Sequence, residues 1–255
     1  MKLALAVFIA LYAIAIGFAF YTDHRWEDWY ITYRASKNMA MGYGLVFTVG
    51  ERVHSFTSPI GTLIPVFWAY VTQLNDEAVI WLFRFTCAVP FALTGVQLLR
   101  IAQHLNFTRT VTLLMIGLFA INILMVDFTI NGMETAFMMV LLVYFTRILI
   151  DPPKHLLRTL ALVMAALMYT RPDSFIYAGT IGLGFLMFSP ELNEKVQTRW
   201  QFIAIMLKAA AIAAILYLPW VIGVWMYYGS PIPHTITAKA GSRHYDLRLL
   251  SQLIR

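Results

Sequence analysis

Charge is scarce in this chain. Asp, Glu, Lys and Arg make up 13% of the 255 residues, about half the share of about 25% usual in soluble domains. The single cysteine, Cys87, lies in an apolar run, which excludes a disulfide framework and a cysteine-based metal site. Glycine-rich phosphate loops, HExxH, GxSxG and CxxC are all missing, which removes the common soluble-enzyme signatures. The histidines at 24, 54, 104, 155, 234 and 244 are dispersed, with no ligand spacing, so no metal site is assigned. The formal charge is +6, but the basic residues are scattered rather than striped. That excludes nucleic acid as a partner, and basic residues here first report topology and lipid contact.

What is abundant is apolar surface. Hydrophobic residues form 60% of the chain, and the fold class expected is an all-α polytopic membrane protein, read as one module over 1–255. The N-terminal run of about 19 apolar residues is long enough to span and is read as an uncleaved first helix. Further runs lie at 59–74, 78–101, 110–127, 134–150, 157–170, 173–189 and 202–228. The run at 59–74 begins at Pro59 and contains Pro65, so it is read as interfacial or re-entrant. That choice puts Lys2, Arg100, His104, Arg109, Arg147, Lys154, His155, Arg158, Lys195 and Arg199 on one side, as the positive-inside rule requires. It leaves about seven spans with a cytoplasmic N-terminus.

The outer side then receives a long first loop, 22–77, and shorter pieces at 128–133, 171–173 and 229–255. The first loop is the only long polar interval. Trp26, Trp29, Tyr30 and Tyr33 recur at helical spacing, a stripe expected to lie in the headgroup layer. At about 100° per residue, Asp28 points away from the stripe, while Glu27 and Arg34 share another side. Gly42 and Gly44 end this helix. The segment 44–56 reads as two short strands around Thr48, Val49 and Gly50.

The other outer pieces carry Glu134 after a tight turn at Gly132, Arg171 and Asp173 about Pro172, and His234 and Lys239 after Pro231 and Pro233. Each has a plainer role. Glu27, Asp28 and Glu134 suit helix N-termini, Arg171 and Asp173 suit an ion pair, and Lys239 suits a solvated loop.

Taken together the pieces resemble one family. The run EDWYITYRASKNMAMGYGLVFTVGERVHSFTSP is similar to the first outer loop of GT-C-type integral membrane glycosyltransferases. The nearest group is the bacterial branch related to mycobacterial terminal arabinofuranosyltransferases and dolichyl-phosphate-mannose-type enzymes. NGMETAF, YTRPDSF and SPIPHTITAKAG resemble the later motifs of that group, in the same order. The sequence departs from the pattern at Glu27, His54 and His234, where Asp, an acid and Asn are usual.

The resemblance implies a GT-C module of about seven spans, with interfacial helices in the first outer loop. It implies a polyprenyl-phosphate-linked sugar as donor and a cell-envelope glycan, lipid or protein as acceptor. Asp28 is then the general base with Glu27 beside it, and Arg34, Glu134, Arg171, Asp173, His234 and Lys239 bind substrate. A divalent cation, Mg or Mn, has a place between Asp28 and another acid but is not demanded. The expected location is the bacterial inner membrane with the site facing the periplasm. Family members continue beyond a loop like 229–255, so the chain is read either as a fragment lacking a C-terminal part or as a natural minimal form. The rival expectation is a lipid-linked-sugar flippase or transporter, or an inactive scaffold of the same fold.

Overall fold

The computed structural model describes residues 2–188, 198–234 and 236. These residues form ten helices and no strand. They are α1 (Lys2–Thr22), α2 (Glu27–Ala40), α3 (Pro59–Val71), α4 (Asp76–His104), α5 (Arg109–Ile121), α6 (Ile123–Ile130), α7 (Thr135–Ile150), α8 (Leu156–Thr170), α9 (Ser174–Phe188) and α10 (Arg199–Tyr228). Local chemistry sets several ends. The Ser58 hydroxyl accepts from the Gly61 N–H at 2.9 Å, with Pro59 in the first turn of α3. Thr198 and Gln201 close a capping box at the start of α10, and Gly229, at φ 74°, ends it.

Among the described residues, only α1, α4 and α10 are long and apolar enough to cross a membrane. A fourth crossing is available if α5 and α6, bent by 57°, act as one span. The expectation of about seven spans is therefore reduced to three or four. Helices α3, α7, α8 and α9 have 13, 16, 15 and 15 residues. At about 1.5 Å per residue they fall short of a hydrocarbon core about 30 Å thick. The run expected at 110–127 is broken because Asn122 ends α5 and its side chain caps α6, accepting from the Met125 N–H at 3.1 Å. An apolar count does not register a capping residue inside the run.

Two apolar clusters hold the helices together. Leu11, Trp29, Phe83, Phe91 and Phe119 knit α1, α2, α4 and α5. Phe145, Leu160, Leu167, Ala178 and Phe202 join α7 to α10. One charge sits inside the first half. The Arg84 side chain is 0% exposed, and its guanidinium donates to Asp23 at 3.0 Å and to the His24 carbonyl at 2.7 Å. It also lies over the Trp81 ring. A buried guanidinium needs such partners, and these fix where the chain leaves α1.

The aromatic stripe of α2 has a different partner from the one expected. Trp29 and Tyr33 are buried and stack at 5.0 Å, and Trp29 packs on Phe83 at 5.1 Å. Trp26 stacks on Phe128 at 4.2 Å, and only Tyr30 is open, at 55% exposure. The stripe seats α2 on the bundle, because α4 and α6 offer it aromatic surface. The expected hairpin is also absent. The Asn38 side-chain amide donates to the Val46 and Phe47 carbonyls at 2.8 and 3.0 Å, occupying acceptors that a strand ladder would use. The turn survives as a bond from the Glu51 N–H to Thr48.

Helix α2 is anchored at its entry by the turn before α7. The Trp26 N–H donates to the Asn131 carbonyl at 3.1 Å. Gly132 has φ 102°, and a Cβ there would stand 2.7 Å from that of Trp29. Gly132→Ala therefore meets both backbone strain and a clash, and is expected to cost about 1–3 kcal/mol. A thermal-unfolding scan of purified protein checks this; an unchanged midpoint would show that α2 is not seated through this contact.

Candidate functional site

A polar cavity of about 410 Å³ opens where α2, α3, α7, α8 and α9 begin or end. Asp28 enters from the first turn of α2, Ser55 and Ser58 from the loop before α3, and Glu134 from the cap of α7. Arg171 and Asp173 enter from the turn between α8 and α9, and Ile236 from beyond α10. Segments more than two hundred residues apart in sequence thus share one space.

Glu134 is the deepest of these groups, at 6% exposure. It lies against the start of α3, where a Cβ on Gly61 would stand 2.9 Å from its Oε2. Glycine is what lets a carboxylate come this close to the helix end. Burial raises the Glu134 pKa from its ordinary 4.5; Arg171 opposes the rise, and Asp173 and Asp28 add to it. Arg171 is held in a fork by Asp173, with Nε to Oδ1 and Nη2 to Oδ2 both at 3.0 Å. Its Nη1 faces Glu134 Oε1 at 3.6 Å. The hydrogen bonds to Asp173 hold the guanidinium firmly protonated.

Asp28 and Glu27 are exposed carboxylates, and neither makes a side-chain hydrogen bond or ion pair with the described residues. The Ser55 hydroxyl is buried in the cavity wall and also has no hydrogen-bond partner among the described residues. Asp28 thus shares the cavity with a cation held in fixed geometry.

The residues expected from sequence divide into groups. Asp28, Glu134, Arg171 and Asp173 line this cavity. Glu27 lines a neighbouring one. Arg34 lies 5.8 Å from the Phe47 ring centroid and lines neither. His234 clasps the loop before α3: the His54 N–H donates to its Nδ1 at 3.1 Å, and its own N–H donates to the His54 carbonyl at 3.0 Å. His54 stacks on Tyr228 at 4.7 Å, and burial with the neighbouring His234 pushes its pKa down to about 4. Lys239 lies outside the described residues. No group of three or more His, Cys, Asp or Glu among the described residues forms a metal cage.

Sequence reasoning passed over Ser55, Ser58, Arg84 and Asp76. Asp76 accepts from Tyr33 at 2.6 Å and from Lys37 at 2.7 Å, tying α2 to α4. Arg84 had a signal, being a charge deep inside the run at 78–101, far from Arg100 at its end. Ser55 had none. Comparison with protein-family models, curated proteins and solved structures returned no match for this chain.

The Glu134 shift gives a signed pH dependence. Its folded pKa lies above the unfolded one, so folding takes up a proton in that window and stability falls as pH rises through it. Glu134→Gln is expected to remove that fall. Melting midpoints of both proteins should diverge, with wild type dropping relative to the variant, as pH rises from about 4.5. A constant difference across the series would rule out a raised Glu134.

Proposed function

We propose that this chain is a membrane glycosyltransferase that moves a sugar from a polyprenyl-phosphate donor to a cell-envelope glycan, lipid or protein acceptor. The observation that carries the reading is the meeting of Asp28 with Glu134, Arg171 and Asp173 in one polar cavity. The motif resemblance of the sequence supports it independently of that geometry. An apolar groove of about 370 Å³ supports it further. The groove starts at Pro59, next to Ser58 of the polar cavity, and runs along Leu63, Phe67 and Trp68 to Tyr169. A lipid tail lying there would place its phosphate beside Arg171.

In this reading the acceptor hydroxyl approaches Asp28, which takes its proton as the oxygen attacks the anomeric carbon. The bond from that carbon to the lipid phosphate breaks, and the phosphate leaves with the electron pair. Displacement in line inverts the anomeric centre. Arg171 meets the charge collecting on the phosphate through Nη1. Glu134 aids this when protonated, since it then no longer competes for the same edge of the guanidinium. Asp173 holds the fork, and the motif resemblance assigns the role of second cation to Lys239. The chemistry faces the outer side of a bacterial cell membrane, where lipid phosphates replace nucleotides as leaving groups.

The test uses purified protein and radiolabelled polyprenyl-phosphate sugars. Wild type is expected to transfer label, and Asp28→Asn to lose about 10²–10⁴ in rate. Equal transfer by both would remove Asp28 as base. No transfer from a range of donors would favour the flippase or the scaffold.

A further inference from the structure

Asp28 has a second face. It and Met133 form a wall shared by the polar cavity and a neighbouring one of about 390 Å³, whose other sides are His24, Arg25, Trp26, Glu27 and Phe128. The two spaces differ in chemistry. The first holds Arg171, and Ser58 in its wall is followed directly by Pro59 of the apolar groove, which suits a lipid phosphate. The second has no such continuation among its lining residues, and its walls are aromatic and acidic.

We infer that this second cavity receives the acceptor's glycosyl ring, and that it selects a neutral or amine-bearing ring over an anionic one. The inference rests on the glycosyltransferase reading for the word acceptor, but its binding chemistry stands on these residues alone. Phe128 stacks one face on Trp26 at 4.2 Å and 9° while remaining 38% exposed. It is a braced aromatic platform of the kind that packs against the C–H face of a sugar. The Trp26 indole N–H is buried with no hydrogen-bond partner among the described residues.

The charges decide the selectivity. Both cations in the wall are committed. Arg25 is forked by Glu77 at 2.9 and 2.6 Å, and His24 Nδ1 pairs with Asp127 at 3.0 Å. The carboxylates of Glu27 and Asp28 are the uncommitted groups. A carboxylated or phosphorylated ring would meet two unpaired acids and no available cation. A hydroxyl or ammonium group would find acceptors. The ring's free hydroxyl then lies against Asp28, on the side away from the donor.

The experiment measures binding of three sugars to the full-length chain in detergent by saturation-transfer NMR, without any donor. The sugars are methyl glucoside, methyl glucosaminide and methyl glucuronide. The neutral and amine sugars are expected to bind at least about fivefold more tightly than the glucuronide, the size of one charge repulsion near 4 Å in water. Glu27→Gln should shrink that preference, and Phe128→Leu should weaken all three, with melting midpoints confirming that both variants fold. Arg171→Gln should leave this binding intact while abolishing transfer. Equal binding of the three sugars, or a preference untouched by Glu27→Gln, overturns the assignment. Failure of polyprenyl-phosphate transfer with the charge preference present would count against the donor chemistry and leave the sugar site standing.

Discussion

The contact on which the site depends is the close approach of α2 to the turn before α7. Trp26 and Trp29 press against Asn131 and Gly132, with one backbone hydrogen bond and a spacing that leaves no room for a Cβ. Everything polar follows from it. The residue after Trp26 and the residue after that are Glu27 and Asp28, and two residues beyond Gly132 is Glu134. Seating the aromatic stripe in the core turns Asp28 outward over Glu134. The apolar residues of α2 thereby do the positioning, and the acids are carried to their places by helical geometry. The supporting ties run to α4, through Asp76 on Tyr33 and Lys37 and through Arg84 on Asp23. Helix α2 is thus fixed along its length by aromatic burial and at its flanks by charge.

Much of this was legible in the sequence, and the failures have particular causes. The 3.6-residue spacing of Trp26, Trp29 and Tyr33 correctly predicts a helix with Asp28 off the stripe. It does not say whether aromatic surface meets lipid or protein, because both are apolar solvents for an indole. The structure chooses protein, since Phe83 and Phe128 stand opposite. The segment 44–56 alternates well enough to suggest strands, yet a single amide, that of Asn38, captures the carbonyls that pairing would need. Side-chain competition for backbone groups is a local event with no period. The run at 110–127 hides Asn122 among apolar residues, and a cap acts through one hydrogen bond rather than through composition.

Convergence is the other thing a linear reading reaches only indirectly. Asp28, Glu134, Arg171 and Asp173 were grouped by motif order and by topology, and the cavity does unite them. Arg34 belongs to the same motif as Asp28, and its guanidinium lies over Phe47. His234 was assigned to substrate and clasps the His54 backbone. In both cases the residue type suited a ligand, but a partner within the chain was nearer. Ser55 shows the converse: nothing in its sequence context marks it, and its hydroxyl is left unpaired in the cavity wall only because the fold brings it there.

Three carboxylates and one guanidinium make a poor pocket for a phosphate on formal charge alone. The geometry supplies two corrections. Burial favours the neutral form of Glu134, which reduces the acid excess. The helix ends supply the other. Asp28 is in the first turn of α2, Ser58 caps α3, Glu134 caps α7, and Asp173 immediately precedes α9. Four helix N-termini therefore meet at the cavity, each equivalent to roughly +0.5 elementary charge at short range. The N–H groups at these ends are fixed dipoles of the sign that stabilises an anion. The acids stand near these ends without a side-chain cap bond at α2 or α7. A phosphate entering beside Arg171 would share that field with them. The short helices matter here for the same reason: α3, α7, α8 and α9 are too short to span alone, so their ends stop at one level and can gather around a single polar space.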